Sequence, residues 1–357
     1  MDFCFLIIFS LFFLSILIHN KFGSNFLYVI PVMNAIAEVT VYYFPKGSIN
    51  TGYIRTLIIF LFIFIWIKNI KFNSSTKIII IFLGYLLLLI PFSSNISNSF
   101  IIYLKIFISM MMLPIAYFIV RKIEDLKKLN SVIVLSTLIV IIQSIIAQIF
   151  RLGQSAYVTK TFYLGGGLVQ LSYLLIVSLI ISPLILLTTK RREKNIFIGF
   201  IFIISFIMMI LYFRRTSYIA FAIGCLTYFL FTPKKHLIIK YIIIIAILFF
   251  VSFPLFKSTF FTQLERRSRV NLLIQKPLQR EGRIIYTKIV FNEFLNKSIK
   301  HSLIGSELFN SLEYFEANRG LHTDYNILLH GSGAIGLLLY LLVIKRIITD
   351  FFRYKNQ

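Results

Sequence analysis

Acidic side chains are scarce in this chain: 13 Asp and Glu stand against 37 Lys and Arg in 357 residues. Charged residues of both signs reach only 14%, while 58% of the residues are hydrophobic. A chain so poor in charge and so rich in apolar side chains cannot face water on every side, which excludes a soluble globular domain. Cysteine is almost missing as well. Cys4 and Cys225 lie far apart inside apolar runs with no metal-ligand neighbours, so neither a disulfide framework nor a zinc site is written here. The sequence holds no P-loop, HExxH, GxSxG or paired-cysteine motif, and no internal repeat or heptad array. It also lacks the short alternating segments of a transmembrane β-barrel, because 78–92, 131–150 and 238–254 are almost continuously apolar.

What the chain does contain is a succession of apolar runs long enough to cross a bilayer, which needs about 20 such residues per helix. Spans are expected near 3–19, 26–44, 54–68, 77–92, 100–120, 131–150, 165–188, 195–213, 216–232, 238–254 and 333–348. The expected fold is therefore all-α, a polytopic transmembrane helical bundle of about 10–12 spans with one large external loop near the C-terminus. Residues 1–254 form the transmembrane region, 255–332 the large loop, and 333–357 the final span and a cytoplasmic tail. The run at 3–18 has no basic flank and no small-residue cleavage pattern, and reads as a retained helix.

The formal net charge of +24 would suggest nucleic acid for a soluble protein. Here much of it is topological, and no nucleic-acid partner is expected. The basic connectors at 68–71, 121–128, 190–194 and 233–235, with the tail 345–357, fall on one face, which the positive-inside rule makes cytoplasmic. The opposite face receives 93–99, 151–163, the pair Arg214 and Arg215, and 255–332. The long segment is itself basic at 265–269, but long loops translocate largely regardless of charge. Pro31, Asn34 and Glu38 interrupt the run 26–44, so the N-terminus is external if that run spans and cytoplasmic if it does not. Basic residues that topology leaves over must face lipid headgroups or an anionic substrate.

Three places carry such residues. Arg214 and Arg215 open RRTSYIAFAIG at the external surface, where arginines either snorkel to headgroups or clamp an anion bidentately. Arg283 opens RIIYTKIVFNEFLNK, whose apolar positions suit an amphipathic helix on the membrane or capping the bundle; alone, it reads as a solvated residue near a helix start. His322 and Asp324 precede the last span within HTDYNILLHGSGAIG, where His accepts protons near neutral pH and Asp orients or assists it. The competing reading is a cap, with Thr323 or Asp324 starting a helix at Tyr325 and His330 in its last turn.

Taken together, RRTSYIAFAIG, EGRIIYTKIVFNEF, HSLIG and HTDYNILLHGSGAIGLLLYL, in that order over the C-terminal half, resemble the bacterial O-antigen polymerase and O-antigen ligase superfamily. The resemblance implies a glycosyltransferase of the bacterial inner membrane that uses an undecaprenyl-diphosphate-linked oligosaccharide without metal ion or cofactor. It implies Arg214 or Arg215 and Arg283 on the donor pyrophosphate, and His322 and Asp324 as the catalytic pair, either being the general base with the other orienting it. HTD stands here where ligase-like members carry His-Ser-Asn or His-Asn. The polymerase branch would work beside membrane lipids and a chain-length regulator protein. The alternatives are a ligase that moves finished glycan to lipid A core and, in another class, a polysaccharide or lipid transporter. A transporter calls for ionisable residues at mid-depth, and Glu38 and Lys105 are the only two near such a position.

Overall fold

The computed structural model describes residues 26–40, 51–67, 73–150, 192–212, 215–231, 282–310 and 324–355, with short stretches at 70, 154–155, 163–164, 321 and parts of 239–261. It is helical: α1 Phe26–Thr40, α2 Thr51–Trp66, α3 Ser74–Leu89, α4 Ile96–Ile119, α5 Ile123–Ile149, α6 Arg192–Tyr212, α7 Arg215–Phe231, α8 Gly282–Asn296, α9 Ile299–Ile304 and α10 Asp324–Lys355. Gln154–Ser155 and Tyr163–Leu164 form a two-residue antiparallel pair. Among the described residues, three stretches are long and apolar enough to cross a membrane: Ser74–Phe92, Ile96–Ile119 and Tyr325–Asp350. Shorter apolar helices cover Thr56–Trp66, Ile196–Met209 and Tyr218–Thr227. The chain is thus a membrane-associated helical protein. The spans expected at 3–19 and 165–188 lie outside the described residues.

The chain divides into two compact units, 1–59 with 119–268 and 60–118 with 269–357. In the first, α1 packs along α5, and α5 on α6. The polar residues 123–130 form the first turns of α5 rather than a loop, because Asp125 closes that end. Its carboxylate accepts from the backbone N–H of Lys122 at 3.1 Å and of Arg121 at 3.3 Å, satisfying donors that a helix start leaves open.

In the second unit α3 and α10 pack antiparallel. Ser75 bonds Asp350 at one end, Phe82 meets Tyr340 with ring centroids 5.9 Å apart, and the Tyr85 hydroxyl donates to the Ser332 carbonyl at 2.8 Å. Asn73 caps α3, accepting from the Thr76 N–H at 2.8 Å. The buried residues of α3, namely Thr76, Ile79, Phe82, Leu83, Leu86 and Leu89, recur at helical spacing. Ile81 and Leu88 point outward on the opposite side, as a lipid-facing stripe requires. The far end of α3 turns through Ser93–Asn95 into α4, whose first turn takes in 96–99 of the expected connector. Both turns are knotted to the segment after α9: Glu307 accepts from the Ser93 hydroxyl at 2.9 Å and the Ser94 N–H at 3.0 Å, the Ser99 hydroxyl donates to the Leu308 carbonyl at 2.6 Å, and Asn98 donates to Asn310 at 2.7 Å.

Candidate functional site at the head of the last long helix

The last helix begins earlier than hydropathy predicts, at Asp324 instead of 333, and runs to Lys355. Because the helix is interrupted at Gly333, His330 stands in the last turn of the segment 324–332, where the capping reading placed it. The reason for the early start is packing: the polar side chains of Asn326 and His330 are buried and bond to α8. Asn326, buried, donates from Nδ2 to the Thr287 hydroxyl of α8 at 2.8 Å. Thr287 stands one turn after Arg283, and Asn326 two residues after Asp324. The backbone positions of Arg283 and Asp324 are therefore brought to the same end of the α8–α10 pair. Their side chains, and His322 and Arg214 altogether, lie outside the described residues. Arg215 opens α7 in the first unit, so the convergence of the three arginines stays a proposal.

Three turns along α8, Glu293 divides its two carboxylate oxygens between two bases. Oε2 lies 2.9 Å from Nδ1 of His330, and Oε1 pairs with Lys297 one turn away. The His330 side chain is 1% exposed and that of Glu293 11%. An ionised carboxylate only accepts, so Nδ1 carries the proton in this bond. Lys297 also reaches the Ser306 hydroxyl at 3.3 Å. These groups, with Val290, Phe294, His301 and Leu329, line a small cleft with room for about one water molecule. Among the described residues no group of three His, Cys, Asp or Glu side chains is set for a metal ion.

The helix breaks just beyond. Gly333 has φ 65°, ψ −165°, and the chain on either side is helical. A break inside an apolar helix exposes backbone carbonyls that hydrocarbon cannot satisfy. Here the His330 carbonyl accepts from the Ser306 N–H at 2.7 Å and the Ser332 carbonyl from Tyr85. The approach is backbone on backbone: a Cβ on Gly333 would lie 2.3 Å from the Leu303 oxygen, and one on Gly305 2.5 Å from the Gly331 carbonyl carbon.

No protein-family model, curated protein or solved structure matches the chain.

Sequence reasoning missed Glu293, Lys297, Glu307 and Asn310. Glu293 and Lys297 stand four apart on an amphipathic run, a spacing that marks a helical ion pair. The partner His330 is 37 residues away, and no spacing rule reaches that far.

Proposed function

We propose that this chain is a polysaccharide polymerase of the bacterial inner membrane, moving a growing O-antigen or capsule glycan from undecaprenyl diphosphate onto a lipid-linked repeat unit at the outer face. The observation that carries the reading is the Thr287–Asn326 bond. It ties the helix that bears Arg283 to the helix that starts at Asp324, which supports one neighbourhood for the residues proposed here as phosphate ligand and base.

In this reading an acceptor hydroxyl attacks the anomeric carbon of the donor sugar. The bond from that carbon to the phosphate oxygen breaks, undecaprenyl diphosphate departs with the electron pair, and the hydroxyl proton passes to His322 or Asp324. Arg283 and Arg215 or Arg214 would meet the negative charge that grows on the diphosphate, a task suited to planar guanidinium forks. The buried Glu293–His330 contact and the Gly333 break support a rigid platform for these residues, since a displacement of about 1 Å at a reacting group lowers rates steeply.

The test is deletion of the gene in its native strain and electrophoresis of the surface polysaccharide. Deletion is expected to leave single-repeat products, with the ladder restored by the wild type. Arg283→Ala and His322→Ala, accumulating normally in the membrane, are expected to reduce polymer at least about 100-fold. Long chains left on the lipid carrier would replace this reading with the ligase, and an unchanged ladder would remove both.

A further inference from the structure

Among the described residues, helices α8 and α9 each have an exposed side. On α8, Lys288, Phe291 and Leu295 follow the i, i+3, i+7 spacing of one helix face, and all three are exposed, Leu295 at 61%. On α9, Ile299 is 80% exposed and Leu303 is also outward, beside the exposed Lys300. The opposite side of α8 is accounted for by Val290, Glu293 and the contacts to α10.

The position of these faces follows from the knot described above. The turn Ser93–Asn95 joins two apolar stretches, Ser74–Phe92 and Ile96–Ile119, and a turn between two spans lies at the membrane boundary. Glu307, Leu308 and Asn310 are hydrogen-bonded to that turn and the first turn of α4, and α9 ends only three residues before Glu307 while packing on α10. Helix α9 and the adjoining end of α8 therefore stand at the level where hydrocarbon meets headgroups. Phe92, 82% exposed at the same turn, is an aromatic at that level, where such rings are enriched.

The charge of the surface is one-sided. Glu293 is the single acidic residue in 282–304, and it is turned inward against His330 and Lys297. From Lys288, Phe291 and Leu295, Ile299 and Lys300 at a span boundary, we infer that the outward faces of α8 and α9 form a docking surface for the anionic phospholipid leaflet. The aromatic and aliphatic side chains enter the acyl layer, and the lysines meet headgroup phosphates. This inference does not depend on the polymerase reading.

The experiment uses the full chain in nanodiscs of phosphatidylcholine alone or mixed with phosphatidylglycerol. Trp66 is the single tryptophan, so Trp66→Phe with Phe291→Trp places one reporter on the surface; if that pair fails to fold, Phe291→Trp is read by difference against the wild type. The reporter is expected to be quenched by lipids brominated near the headgroup end of the acyl chain and shielded from acrylamide. Native mass spectrometry is expected to show phosphatidylglycerol retained over phosphatidylcholine, falling about fivefold for each of Lys288→Gln and Lys300→Gln. A reporter quenched by acrylamide and indifferent to brominated lipid overturns the docking surface. Lipid quenching with no phosphatidylglycerol preference, or a preference shown only for added polyprenyl diphosphate, overturns its assignment to the anionic leaflet.

Discussion

Glu293 shows how a residue with no visible motif can hold a site together. Removing it leaves the buried His330 and its partner Lys297 without their shared acceptor, and breaking such a buried contact costs about 3 kcal/mol. Glu293→Ala is therefore expected to lower the melting temperature in detergent well below wild type, with Glu293→Gln between them because its amide oxygen still accepts from His330. Lys297 is 34% exposed, so Lys297→Met is expected to cost at most about 1 kcal/mol; equal losses for Ala at 293 and Met at 297 would show that the His330 contact adds nothing. Asp125 offers a pH-dependent counterpart. Backbone N–H donation from Lys122, with further help from Arg121, the Lys128 charge and Tyr28, holds its carboxyl below the usual carboxylate range. A depressed folded-state value means that its bonds stabilise the start of α5 above about pH 4 and are lost as pH falls through the folded value. Protection of the Lys122 amide from hydrogen exchange should fade over that acid range, and in Asp125→Ala the protection should be low throughout.

At the scale of elements, the break in α10 is built from glycines that meet backbone to backbone. Gly333 at φ 65° with a Cβ position 2.3 Å from the Leu303 oxygen has no room and no relaxed conformation for alanine. Gly333→Ala is expected to lose at least about 3 kcal/mol or fail to accumulate, whereas Gly84→Ala, in the middle of α3 with nothing within 4 Å of its Cβ position, should gain about 0.5–1 kcal/mol. Similar outcomes at both positions would contradict the close approach. Hydropathy makes GSGAIG legible as the place where the chain changes character, and Gly333 is where the helix breaks. The helix that starts at Asp324 is legible from the capping signal at Thr323 and Asp324 and not from hydropathy, because Asn326 and His330 are polar and their burial comes from α8. The first turns of α5 escape notice for the same kind of reason: charged residues at 124–128 look like a connector until Asp125 is seen closing a helix start. Long apolar runs such as 77–92 and 100–120 are legible to within a few residues, since lipid-length hydrophobicity depends on composition and not on partners.

For the molecule as a whole, the second unit fixes which ends of its helices belong together. Ser75 meets Asp350, while Ser94 and Asn98, past the other end of α3, meet Glu307 and Asn310. From Ser74 to Phe92 the helical rise amounts to about 27 Å, close to the thickness of a hydrocarbon core of about 30 Å. If α3 crosses the membrane, Ser97 and Lys300 must share one side, and Ser74 and Arg353 the other. The basic residues of 68–71 and 345–357 neighbour the second pair, which the positive-inside rule keeps in the cytoplasm. In a chain with Cys4 and Cys225 replaced by Ser, a membrane-impermeant maleimide applied to cells with a permeabilised outer envelope should label Ser97→Cys and Lys300→Cys. Ser74→Cys and Arg353→Cys should react only after the inner membrane is opened. Labelling of Ser97→Cys and Lys300→Cys from different sides would contradict the knot between the α3–α4 turn and residues 307–310. Labelling of all four with the sides exchanged would leave that packing intact and reverse the orientation, placing α9 and α8 with Arg283 in the cytoplasm, where an enzyme of the outer face cannot work.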